Sequence, residues 1–128
     1  MPRAQFAVKG LPAPKGSRSP LGGNRSKESS AGCKPWVETI IFACKSERPG
    51  KDPLEAPYKI GLRFVMPRPA KPKYEWPSIG DIDKLERAVL DGLTQGGLIV
   101  DDRHVVQLDT SKEFVEDGKS TGVSIVVL

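Results

Sequence analysis

The chain is predicted to fold as a small α+β domain, one mixed β-sheet packed with two main helices in the order β-α-β-α-β-β. Three observations predict it. Residues 58–66 alternate, Tyr58, Ile60, Leu62, Phe64 and Met66 against Lys59, Gly61, Arg63 and Val65, which is the two-residue period of a half-buried strand. Two other stretches, opening near Pro35 and near Asp81, repeat their apolar residues at helical spacing instead. The length of 128 residues suffices for one buried core but is short for two, so residues 1–128 are expected to form a single domain.

The elements follow in order. Phe6-Ala7-Val8 is a short strand-type run closed by Gly10, and a turn-rich basic stretch begins at Pro12. Residues 16–32 are mostly Gly, Ser and Asn with Arg25 and Lys27, too polar to pack by themselves, so a mobile basic loop is expected over about 12–33. Pro35 suits a first helical turn, and Trp36, Val37, Ile40, Ile41 and Cys44 form an apolar face ending near Lys45. A polar connection over 46–57 leads to the strand Tyr58–Met66, stopped by Pro67. Pro67 to Pro77 is Pro-rich and basic, and the second helix starts at Asp81-Ile82-Asp83. Its core face is Leu85, Ala88, Val89, Gly92 and Leu93, its outer face Lys84, Glu86, Arg87 and Asp91, and Gly96-Gly97 ends it. Leu98-Ile99-Val100 is a short apolar run, after which strands are expected from Val105 to Ser111 and from Val123 to Leu128, with a polar turn at 116–118.

Charge is placed unevenly. Residues 1–73 hold fifteen Lys and Arg against five Asp and Glu, whereas residues 74–128 hold five against eleven. A basic half beside an acidic half suits a polyanion gripped by one and a cation held by the other. No apolar run approaches the ~18–20 residues of a membrane span, and no apolar leader opens the chain, so no membrane contact and a cytoplasmic location are expected. Cys33 and Cys44 form no CxxC pair and His104 is the one histidine, which is no zinc pattern; both cysteines are expected as reduced thiols, Cys44 in the core.

Chemistry is expected from the acidic residues. Asp81 and Asp83 stand where a helix N-terminus favours anions, so Asp81 as an N-cap and Asp83 paired with Arg87 would explain them structurally. Asp101-Asp102 adds a second possibility. A helix from Asp83 to Thr94 climbs about 17 Å at 1.5 Å per residue, and an extended return from Gly97 to Asp102 covers about 16 Å at 3.3 Å per residue. Three or four carboxylates would then converge and call for a hard divalent cation. His104 reads as a surface or strand-edge residue and Trp36 as core. Tyr74 and Trp76, flanked by Lys71 and Lys73, suit either base stacking or simple packing.

The run Gly80-Asp81-Ile82-Asp83-Lys84-Leu85-Glu86-Arg87-Ala88-Val89-Leu90-Asp91-Gly92-Leu93, with Asp101-Asp102-Arg103-His104-Val105-Val106 after it, resembles the signature region of the RusA-type Holliday junction resolvases. That family shows D-x-D-N-L-x-K at a helix start and D-D-x-x-V later. Residues 8–17 similarly resemble the family's opening strand and basic Pro/Gly loop. The resemblance implies a structure-selective endodeoxyribonuclease with Asp81, Asp83 and Asp102 as catalytic, Mg²⁺-binding aspartates, Mn²⁺ able to substitute, and Asp101 and Lys84 as accessory residues. It further implies a homodimer acting on branched DNA, cutting a four-way junction symmetrically to leave 5′-phosphates and 3′-hydroxyls. Lys15, Arg18, Lys71 and Lys73 are the basic residues expected on DNA.

Two positions depart from the family pattern. Its Asn is Lys84 here and its catalytic Lys is Arg87, which holds phosphate through a fork of donors but does not titrate. Charge stabilisation carries over to Arg87; proton transfer does not. Two other classes fit the residues alone: a non-catalytic nucleic-acid-binding module, and a small Mg²⁺-dependent nucleotide phosphohydrolase.

Overall fold

The computed structural model describes residues 1–16 and 32–128. Along them run β1 (Ala4–Lys9), α1 (Cys33–Glu47), β2 (Tyr58–Met66), α2 (Ile82–Gln95), a single 3-10 turn (Asp102–His104), β3 (Val105–Phe114) and β4 (Gly122–Val127). The expected order β-α-β-α-β-β is observed. Residues 17–31 of the expected basic loop, Arg18 among them, lie outside the described residues. Leu98-Ile99-Val100 is not a strand: it turns sharply, burying Leu98 and Ile99 and exposing Val100.

The four strands lie in the order β1-β4-β2-β3. β4 runs antiparallel to both β1 and β2, while β2 and β3 are parallel. A parallel pair needs a crossover, and α2 supplies it. One row across the sheet is Phe6, Ile125, Leu62 and Thr110, so the alternation of each strand keeps to a common face. On that face Ala4, Val8, the five apolar residues of β2, and Val123, Ile125 and Val127 are buried beneath the helices. The opposite face is open, with Gln5, Lys59, Arg63 and Glu113 exposed and Arg63 Nε 2.9 Å from Glu113 Oε1.

Both helices bury the stripes their sequences marked. Trp36, Ile40 and Cys44 are the buried residues of α1, at successive turns of one face. In α2, Leu85, Ala88, Val89 and Leu93 are fully buried. The helices approach most closely at Gly92, where an added Cβ would lie 2.6 Å from Ile40 Cγ2 and 2.8 Å from Ile40 Cβ. Past α2, Gly97 adopts φ +77°, the left-handed conformation that closes the helix.

Tyr58 joins two connections to the core. It is completely buried, its hydroxyl donates to Leu54 O at 2.6 Å, and it accepts from Val100 N at 3.0 Å. Leu54 N in turn donates to Leu98 O at 2.9 Å. The polar segment before β2 and the turn after α2 are thus held to each other and to the sheet. Cys33 and Cys44 are both free, as expected, and burial pushes the Cys44 thiol up to about 12. Among the described residues no helix is long and apolar enough to cross a membrane.

Gly92 gives a direct test of the helix packing. Alanine at an interior helical site is favoured over glycine by about 1 kcal/mol, but overpacking a tight contact costs about 1–3 kcal/mol. Gly92→Ala is therefore expected to lower stability, read as a reduced denaturation midpoint at unchanged slope. A higher midpoint would show that α1 moves aside freely.

Candidate active site

The start of α2 is fixed by the edge strand β3, whose helix-facing residues are partly polar. Lys112 Nζ donates to Gly80 O at 2.8 Å, and Thr110 Oγ1 donates to Glu86 Oε2. These contacts set α2 antiparallel to β3, with its first turn over the end of that strand. Asp81 takes the N-cap position, and its backbone oxygen accepts from Lys84 N at 3.1 Å and Leu85 N at 3.0 Å. Its carboxylate makes no capping bond; it stands 3.6 Å from Lys84 Nζ with its side chain 69% exposed. Asp83 and Arg87 are also exposed, and no ion pair joins them among the described residues. The N-cap explanation of Asp81 holds for the backbone alone, and the pairing explanation of Asp83 does not hold. Both carboxylates and the guanidinium face solvent.

The second acidic pair sits beyond the other end of α2. Residues 96–101 do not run back as an extended segment. Gly97 N donates to Thr94 O at 3.1 Å, Leu98 N and Ile99 N both donate to Leu93 O, and Val100 N is taken by Tyr58. Backbone groups that would have been left bare in an extended return are satisfied by these turns. Asp101 then caps the 3-10 turn, its Oδ1 accepting from Arg103 N at 3.0 Å.

That bond divides the labour within the pair. The Arg103 amide holds Asp101's carboxyl below its ordinary range, so this residue is committed to the turn as an anion. Asp102 stands exposed, and its carboxyl is held above the ordinary range, first by partial loss of the water around it and then by the neighbouring carboxyl of Asp101 and the charge of Asp91. Lys15 opposes the shift. The Lys15 backbone N donates to Lys84 O at 3.0 Å, and its Nζ reaches Asp91 Oδ2 at 2.6 Å. A lysine of the N-terminal basic segment is therefore planted on α2 amid the carboxylates.

The structure thus gathers Asp91, Asp101, Asp102 and Lys15, and places Asp81, Asp83, Lys84 and Arg87 along the first turns of the same helix. The convergence of three or four carboxylates on one point is not present: among the described residues no three His, Cys, Asp or Glu side chains form a group able to hold a metal ion. The turned rather than extended return is the physical reason. The donors are of the oxygen-only kind that a hard divalent cation prefers, but the described residues do not assemble them into one site. Asp91 is the member that sequence reasoning put on the outer face without a role. Its signal was the spacing of four from Asp83 to Arg87 to Asp91, neighbouring turns of one helix surface.

The remaining expected residues lie elsewhere. Lys71 and Lys73 are exposed in the segment between β2 and α2, with Lys73 Nζ 5.9 Å from the centre of the Tyr74 ring. His104 is half-buried at the end of the 3-10 turn, its Nε2 accepting from Arg103 Nε at 3.4 Å. Trp36 is in the core, as its spacing indicated.

Residues 14–127 match the family model for Endodeoxyribonuclease RusA. No curated protein sequence matches the chain. The matched span takes in both acidic pairs, Arg87, and the whole of the sheet except β1.

The anchoring of the acidic turn predicts a split between two substitutions. Asp101→Asn keeps a side-chain oxygen for the Arg103 amide, while Asp101→Ala loses the cap. Thermal unfolding should therefore show Asp101→Ala melting below Asp101→Asn. Equal melting temperatures would mean that the cap contributes nothing to the turn.

Proposed function

The chain belongs to the RusA endodeoxyribonuclease family and is a Holliday junction resolvase hydrolysing phosphodiester bonds; from that premise we propose that it cuts four-way junctions by paired, symmetric incisions in a Mg²⁺-dependent reaction. Mn²⁺ substitutes for Mg²⁺ in this reading, the working species is a cytoplasmic homodimer, and a two-fold dimer presents one copy of the site to each of two opposed strands.

The observation that best supports the chemistry is the family match over residues 14–127, within which Asp102 is exposed and α2 opens with Asp81 and Asp83, both exposed. By the family resemblance Asp81, Asp83 and Asp102 are the residues assigned to the ion; the described residues hold them apart, so sharing one ion would need them drawn together on binding, with Asp101 keeping the turn beneath Asp102 in shape. A divalent cation, when bound, polarises a phosphoryl oxygen and lowers the pKa of a bound water. Arg87 contributes what needs no ion: a permanent positive charge with forked donors, one helical turn from Asp83, able to hold non-bridging phosphate oxygens as negative charge grows on them. Lys15 and Lys84 keep the acidic surface from repelling the DNA backbone, and Lys71 and Lys73 add phosphate contacts on the approach to α2. Arg18 belongs to the same basic set by sequence.

A gel assay on a synthetic four-way junction, a linear duplex and a single strand, each with and without Mg²⁺, tests the reading. Cleavage should be confined to the junction with the metal present. Binding without cleavage under every condition would leave a recognition module, and preferential hydrolysis of nucleotides would leave a phosphohydrolase. Asp81→Asn, Asp83→Asn and Asp102→Asn should each nearly abolish cleavage yet bind junctions as well or better, because each removes a metal ligand and a negative charge facing DNA. Arg87→Lys should keep much of the activity and Arg87→Ala should lose it; equal activity in the two would remove Arg87 from the site.

A further inference from the structure

At the ends of the parallel strands β2 and β3, next to the entry to α2, lies a groove of about 260 Å³ that the acidic site does not use. Met66 and Phe114, the last residues of the two strands, contribute to its lining, together with Leu11, Tyr74, Trp76 and Ile79. A volume below the ~300–1,000 Å³ of drug-sized pockets suits one planar group. Its aromatic residues are not core. Tyr74 and Trp76 stack on each other with centroids 5.0 Å apart and planes 16° apart, yet they remain 42% and 59% exposed. Leu11 and Ile79 are more exposed still. Four large apolar side chains so open to water at one groove gain little from packing within the chain.

Charge decides what it binds. The segment from Pro67 to Gly80 carries Arg68, Lys71 and Lys73 against Glu75 alone. Lys73 lies by the Tyr74 ring, and the Arg68 guanidinium stands 4.7 Å over the Phe114 ring. Aromatic platforms interleaved with cations bind exposed bases by stacking and the flanking phosphates by charge. A second copy of the chain fits poorly, since two-fold contact through this patch would bring the same cations face to face. Bases inside a duplex are stacked on both faces, whereas a pair at the open centre of a four-way junction lacks one stacking neighbour and costs less to open.

We propose that this groove takes one DNA base opened from its pair at the branch of the substrate, stacked on the Tyr74–Trp76 platform, with Arg68, Lys71 and Lys73 on the adjoining phosphates. The inference rests on the endonuclease reading and names what makes the site selective for structure. The five residues from Trp76 to Asp81 span at most about 17 Å, or some five steps of a DNA strand at ~3.4 Å each. The base held in the groove thus sets how far from the branch the scissile phosphate falls.

The test compares the chain with its Trp76→Ala and Trp76→Phe variants, without divalent metal, on three DNAs: a four-way junction, a duplex with a short unpaired loop, and a blunt duplex. 2-Aminopurine at the branch or in the loop reports stacking. Trp76→Ala should bind the junction and the looped duplex on the order of ten-fold more weakly and lose the quenching of the probe, with blunt-duplex affinity unchanged. Trp76→Phe should restore most of both. Equal losses on all three DNAs, an unchanged affinity, or a loss explained by dimer dissociation in sedimentation would each overturn the proposal. A wild-type protein that binds the looped duplex no better than the blunt one would also overturn it, whether or not it cleaves. Selective binding through Trp76 by a protein that never cleaves would instead retain the groove and remove the Mg²⁺-dependent paired-cleavage reading.

Discussion

The seating of α2 is the constraint on which the rest of the molecule depends. β2 and β3 can lie side by side in parallel only if the chain crosses back over the sheet between them, and α2 is that crossing. Its buried stripe joins the core that the inner face of β2 also enters, its close approach to Ile40 at Gly92 locks it to α1, and two side chains from the edge strand hold its first turns. Hydrophobic burial fixes where the helix lies, while Thr110 and Lys112 fix how far along the strand it begins. Every acidic residue of interest takes its position from that placement. Asp81 and Asp83 open the helix, Asp91 follows two turns later, and Asp101 and Asp102 come just after the turn that ends it.

Much of this was legible in the sequence, because the signals were periodic. The alternation of residues 58–66 and the helical spacing of Leu85, Ala88, Val89 and Leu93 report burial directly, and the observed elements follow them. The path from Gly97 to Asp102 was not legible. Its length permits an extended return, and whether the chain extends or turns depends on partners far away, above all the hydroxyl of Tyr58 more than forty residues earlier. The candidate site divides in the same way. Asp81, Asp83, Arg87 and Asp102 stand out by spacing and resemblance, whereas Asp91 acquires its place only through Lys15, a contact between distant segments that no local pattern announces.

The division of charge along the chain is likewise not a division in space. Lys15 belongs to the basic half of the sequence, yet its backbone is bonded to Lys84 and its ammonium to Asp91, inside the acidic half. Lys112, from the acidic half, reaches back to the entrance of α2. Cations placed this way lower the repulsion among carboxylates that the fold brings close, and they do so without filling the exposed faces of Asp81, Asp83 and Asp102. The surface offered to a phosphate backbone is therefore a mosaic, with fixed positive charge at the borders of a negative patch.

The buried hydroxyl of Tyr58 has a consequence for motion. It is shared by Leu54 O and Val100 N, so the amide of Val100, one residue before the acidic pair, is bonded to a side chain that no water reaches. Breaking that bond requires either pulling the turn off the core or withdrawing the ring from the sheet. Backbone amides on surface turns commonly exchange with solvent through small local openings, whereas those tied to the core exchange only when a larger unit unfolds. The turn bearing Asp102 thus belongs, in hydrogen exchange, with the sheet rather than with the loops: a stiff mount for one half of an acidic surface whose other half rides on a helix.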